Sequence, residues 1–163
     1  MSIAATNIDS TPNNAFFPDY DFDYAEIIVG RAVGNSLLKI YDVQQTTPVL
    51  RASYFAFDGA TRGVNVAAGN TDGLRGGEIY VSLKNSTNVK IISGQTGVPV
   101  GSFSVPYPAV YGRNLEIAIN DRGENIVTDL FVVAGDGPYN QIPIVFKGQF
   151  ASPAGLNGSR AAS

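Results

Sequence analysis

Glu26-Ile27-Ile28-Val29-Gly30, Glu78-Ile79-Tyr80-Val81 and Asp129-Leu130-Phe131-Val132 are versions of one phrase, an acidic residue followed by an apolar run. They are spaced by 52 residues (26 to 78) and then by 51 (78 to 129). The flanking segments repeat as well. Val89-Lys90-Ile91-Ile92 echoes Leu38-Lys39-Ile40-Tyr41 at a shift of 51 (38 to 89), and Leu115-Glu116-Ile117 echoes Val64-Asn65-Val66 at the same shift (64 to 115). Each run is short and bounded by Gly, Asn, Asp or Pro, as are the β-branched and aromatic stretch from Val49 to Phe57 and the run from Ile142 to Phe146. Such runs read as β-strands, and Pro143 places the last at an edge or a bulge. A period of about fifty residues holding four short strands is the pattern of a β-propeller blade. The expected fold class is therefore all-β, with about two and a half blade-like units of four antiparallel strands. A closed β-sandwich or barrel is the alternative.

The repeats divide the chain into an extended N-terminal arm and acidic loop over 1–23, a single β-repeat domain over 24–150, and a Gly-, Ala- and Ser-rich tail over 151–163. The arm is polar and carries Pro12 and Pro18. It is expected either to pack loosely or to pair with a sheet edge, in this copy or a neighbour.

Composition narrows the function classes. Only 15% of residues are charged, too few for long amphipathic helices, and the net charge of −3 comes with no Lys/Arg cluster. Nucleic-acid binding lacks its electrostatic footprint. With no Cys, disulfides and thiolate metal sites are excluded; with no His, the commonest general base and the Ser-His and Cys-His pairs go too. No apolar run approaches the length of a membrane helix, and the first residues lack a signal-peptide pattern. Among the remaining chemistries, a pair of acids flanking a sugar is the most plausible, with Asp58, Glu78, Glu116 and Asp129 as candidates. Yet Glu26, Glu78 and Asp129 share one repeat position, which points to a common structural task such as capping a turn. Gly73, Gly76 and Gly77 have no strand-to-helix context and read as a turn rather than a phosphate cradle. Of the eight tyrosines, Tyr107, Tyr111 and Tyr139 lie beside Pro or Gly in loops and are the ligand-binding candidates.

Ser53-Tyr54-Phe55-Ala56-Phe57-Asp58, Gly63-Val64-Asn65-Val66-Ala67-Ala68-Gly69 and Glu78-Ile79-Tyr80-Val81 resemble the FG-GAP repeats, the calcium-loop propeller repeats also found in integrin α-subunit heads. The resemblance covers residues 19–148 and is best over 24–82. It implies a propeller blade and calcium as cofactor. Asp19, Asp21 and Asp23 occupy the place of the first calcium loop, and Asn70 with Asp72 that of the second. The first loop lacks the family's glycines, the second has Leu74 at a ligand position, and the third, Asn120-Asp121-Arg122-Gly123-Glu124, carries an arginine. Calcium takes six to eight oxygens, so solvated turn residues are the competing reading.

Family propellers close with several blades. Two and a half units leave a raw flank at each end, which another copy, the N-terminal arm or a different closed architecture must cover. The expected function is thus a non-catalytic structural or adhesive module that self-associates through exposed sheet edges as a homo-oligomer, in an extracellular or cell-surface assembly. A lectin-like propeller and a calcium-dependent protein-binding head are the alternatives, with a glycan or a surface protein as partner and no membrane insertion.

Overall fold

A computed structural model describes residues 1–6, 8, 25–44, 47–71, 77–106, 115–120, 129–134, 144–146 and 159–160. The described residues form twelve strands and no helix. They make three four-stranded antiparallel sheets, each built from strands consecutive in sequence. The first holds β1 (Ser2–Thr6), β2 (Glu26–Gly30), β3 (Leu37–Gln44) and β4 (Thr47–Phe55). The second holds β5 (Val64–Gly69), β6 (Glu78–Leu83), β7 (Asn88–Ser93) and β8 (Pro99–Ser104). The third holds β9 (Leu115–Asn120), β10 (Asp129–Ala134), β11 (Ile144–Phe146) and β12 (Ser159–Arg160). The fold is all-β and built of blade-like repeats. Each sheet is an open meander with a first and a fourth strand at its edges.

The N-terminal arm takes the strand-pairing course of the two expected for it, and part of the stretch read as a loose tail pairs as well. Residues 2–6 of the N-terminal arm pair with β2 along their whole length, from Ser2 opposite Gly30 to Thr6 opposite Glu26. Ser159 and Arg160, in the stretch read as a tail, pair with Val145 and Ile144 of β11. Both supply a strand that a four-stranded sheet otherwise lacks. Pro143 lies outside the described residues.

The sequence period is reproduced in register. Ala4 faces Ile28 and Ile28 faces Ile40; one unit on, Ala67 faces Tyr80 and Tyr80 faces Ile91; in the third, Ala118 faces Phe131 and Phe131 faces Val145. Even the irregularities repeat. The ladder between the third and fourth strands shifts between Ile40 and Tyr41 in the first sheet and between Ile91 and Ile92 in the second, equivalent positions 51 residues apart (40 to 91). A bulge bends a strand and strengthens its twist, so the two sheets are shaped alike. Pro48 and Pro99 lie on β4 and β8, which are edge strands among the described residues, where proline is tolerated.

Alternation along each strand sends side chains to two faces. The face of a sheet turned toward the preceding sheet is here its leading face, and the other its trailing face. Between the first two sheets, Ile28, Leu38 and Ile40 from the first trailing face pack with Val64, Val66, Ile79, Val81 and Ile92 from the second leading face. Between the second and third, Tyr80, Val89 and Ile91 from the second trailing face pack with Leu115 and Val132. The second sheet is therefore apolar on both sides; Ile79, Tyr80 and Val81, three successive residues, are each 0% exposed. Burying a side chain of this size is worth about 1.5–3 kcal/mol.

Close backbone approach also joins the sheets. The carbonyl of Arg31, after β2, accepts the Val64 N–H at 2.7 Å across the junction, while within the second unit the Gly63 carbonyl accepts the Lys84 N–H at 2.9 Å. A β-carbon on Gly63 would lie 2.1 Å from the Ala32 carbonyl oxygen and 2.6 Å from that of Arg31. Backbone atoms on both sides leave no room to yield. Gly63→Ala is expected to lower the unfolding free energy by about 3 kcal/mol or more, because overpacking moves main chain here rather than a side chain. Gly59→Ala has open space and loses only the relief of a positive φ of 67°, about 1 kcal/mol. Urea denaturation of both variants checks the order; equal losses refute this account of the junction.

Candidate functional site

The repeated acid of each unit stands at the start of the second strand, opposite the last residue of the first: Glu26 opposite Thr6, Glu78 opposite Gly69, Asp129 opposite Asn120. From there the first two reach the chain just beyond that strand. The Glu26 carboxylate accepts the Ile8 N–H at 2.8 Å. The Glu78 carboxylate accepts the Thr71 N–H at 2.9 Å and the Thr71 hydroxyl at 2.8 Å. Ile8 and Thr71 are equivalent, each two residues past its strand. The shared position thus has a structural use in both sheets. It pins the main chain two residues past the first strand.

The partners vary in concert. Thr71 Oγ1 spends its one hydrogen on Glu78, so the 2.7 Å contact with Tyr80 is a bond donated by the tyrosine hydroxyl. In the first sheet the positions of Thr71 and Tyr80 hold Ile8 and Ile28, both fully buried. One unit satisfies two buried hydroxyls with each other; the other removes both. Either solution avoids an unmatched polar group in the core.

A repeated cation marks the leading faces. Lys90 on β7 donates from its ammonium to the Ala56 carbonyl of the first sheet and lies 4.8 Å from the centre of the Phe57 ring. It borders a hollow of about 440 Å³, lined also by Asn88, Ser102, Phe103 and Ser104. Lys39 holds the same register position on β3 and borders a hollow of about 460 Å³ with Met1, Val29, Leu37 and Tyr41.

That second hollow lies on the leading face of the first sheet, against which no described residue of another sheet packs. Its residues match, position by position, those buried on the second leading face. Met1 and Ile3 stand where Val64 and Val66 do, Ile27 and Val29 where Ile79 and Val81 do, and Tyr41 where Ile92 does. Val64 and Val66 are 0% and 4% exposed, whereas Met1 and Ile3 are 78% and 54% exposed. Val33 and Phe55 add to the exposed apolar area of this sheet.

Asp19, Asp21, Asp23, Asp72, Tyr107, Tyr111 and Tyr139, expected as calcium or ligand contacts, lie outside the described residues. Asn70 is half-buried just after β5. Among the described residues no group of three or more acidic side chains is arranged to hold a metal ion. Of the acids weighed for catalysis, Glu78 is engaged with Thr71, Asp58 is exposed in a turn, Glu116 is exposed on β9, and Asp129 begins β10. What the sequence did not mark as a site is the leading face itself. Its signal was the correspondence of Ile27, Val29 and Tyr41 with Ile79, Val81 and Ile92. No protein-family model matches the chain, nor does any curated protein or solved structure.

Burial also acts on Tyr54, whose hydroxyl is enclosed without a hydrogen-bond partner among the described residues. Desolvation raises its pKa above the ordinary phenol value, keeping it neutral at physiological pH. A raised folded-state value contributes stability below the unfolded value that is lost as pH rises through the folded one. The alkaline fall of wild-type stability is therefore expected to be steeper than that of Tyr54→Phe, read from urea midpoints across the phenol range. Glu78→Ala removes the two acceptor contacts to Thr71 and is expected to cost about 2–4 kcal/mol, since bonds to a charged group are worth about 1.5–3 each and are not additive. A loss under about 0.5 kcal/mol, the level of an ordinary surface change, shows that the clamp is idle.

Proposed function

We propose that this chain is a non-catalytic structural or adhesive module that self-associates, and that the leading face of its first sheet joins one copy to another in an extracellular or surface assembly. The observation that carries this reading is the match between that open face and the buried leading face of the second sheet. Equivalent register positions hold apolar residues in both, yet in one case they are sealed, and in the other Met1 and Ile3 are exposed and Ile27, Val29 and Tyr41 only half-buried. An exposed apolar patch on a sheet is a liability unless something covers it. The outer edges are less suited to pairing, because Pro48 and Pro99 interrupt them. The FG-GAP resemblance belongs to the same reading and is supported by the four-stranded, in-register unit.

The two hollows that border Lys39 and Lys90 fit this role better than a ligand pocket. Lys90 shows what such a lysine does when a sheet is docked: it bonds to a main-chain carbonyl and lies over an aromatic ring. At micromolar concentration the wild-type chain is expected to sediment as more than one copy, and Val29→Asp as a monomer with unchanged thermal stability. Multi-angle light scattering after size-exclusion chromatography, combined with a melting curve, makes the comparison. A wild type that stays monomeric throughout the micromolar range overturns the proposal.

A further inference from the structure

Building on that reading, we infer that copies join head to tail, the trailing face of one copy's third sheet docking on the leading face of the next copy's first sheet. The two interfaces inside the chain are one contact used twice. In each, the first strand of a sheet lies beside the first strand of the next: β1 beside β5, and β5 beside β9. Polar side chains at equivalent positions, Ser2 and Asn65, cross to the main chain of the next sheet, at partners two register positions apart. Ser2 Oγ accepts the Val66 N–H at 3.0 Å. Asn65, the equivalent of Ser2, donates to the Leu115 carbonyl at 2.9 Å. The third member of this series is Glu116, and it is exposed.

The trailing face of β9 repeats the other features of a docking surface. Ala118 is equivalent to Ala4 and Ala67, the small residues that let the strands approach; Ala67 is 6% exposed, whereas Ala118 is open to solvent. Leu115, Ile117 and Ile119 of the same strand point the opposite way, into the core shared with the second sheet. One end of the stack thus shows a leading face with no sheet before it, and the other a trailing face with no described sheet after it. The surfaces complement each other because they descend from the same internal contact. A further step of that contact places Glu116 at the Ile3 N–H of the next copy, as Ser2 is placed at Val66.

The partner is therefore a second copy of this chain, bound through two different patches. A heterologous contact of this kind closes into a ring or runs on as a filament, and does not stop at a symmetric dimer. This separates it from self-association in general, where two leading faces meet across a two-fold axis.

Mixing experiments decide between them. Val29→Asp blocks the leading face and Ala118→Arg the trailing face; both positions lie outside the buried cores. Each variant alone is expected to be monomeric, and an equimolar mixture to give a one-to-one dimer and nothing larger, a doubling of mass by light scattering. Ile3→Arg with Glu116→Arg forms an independent pair of blocks should either of the first variants fail to melt like wild type. If wild type assembles but the trailing-face variants assemble equally well, or the mixtures stay monomeric, the head-to-tail arrangement is refuted while self-association stands. If wild type does not assemble, both fall together.

Discussion

A sheet that is apolar on both faces must be covered on both, and the second sheet of this protein lives under that constraint. Ile79, Tyr80 and Val81 follow one another along β6 and are all withdrawn from water, an arrangement possible only with another layer on either side. The first and third sheets are those layers. Everything else follows as a way of bringing three meanders close enough to share cores: the glycine at the backbone crossing between the first two sheets, the small residues on the adjoining first strands, and the lysine reaching over to a neighbouring carbonyl. Stability in such a stack is the sum of what each unit contributes and what each junction adds.

Within each unit, the carboxylate at the head of the second strand solves a different problem. The chain leaves the first strand and must turn away without stranding main-chain N–H groups in the interior. Glu26 and Glu78 meet that need by accepting from Ile8 and Thr71. A carboxyl group held nearly out of solvent, as Glu26 is at 4% exposure, is tolerated there with the Ile8 N–H bonded to it. The loop beyond is then free to vary in length and content, since its entry is fixed. This explains how the connection between β1 and β2 can span residues 7–25 while that between β5 and β6 spans only 70–77, with the same register on either side.

The sequence announced much of this architecture through spacing. The acidic-apolar phrase located β2, β6 and β10, and the echoes around Lys39 and Lys90 located β3 and β7 in the register they adopt. What periodicity left out were strands with little apolar character of their own. Ser2–Thr6 reads as a polar arm because its small residues owe their strand geometry to β2. Pro99–Ser104 carries a proline and a glycine, and Ser159–Arg160 is too short to show a pattern. The functional surface was legible only in part. Raw flanks were foreseeable from the unit count, but which face stays open depends on how the sheets stack. That order is set by tertiary packing, as when successive residues Ile79 and Tyr80 enter different cores. The shared role of the acids was visible as a coincidence of position; its partners, Ile8 and Thr71, were not.

The preserved register has a consequence for how such a chain can change over generations. Because each junction repeats the one before, an in-frame duplication of one period inserts a whole layer between two existing ones and disturbs neither, and a deletion of one period rejoins surfaces that already fit. Length is therefore among the least costly characters for this protein to alter, and unequal recombination between its own repeats supplies variants that fold at once.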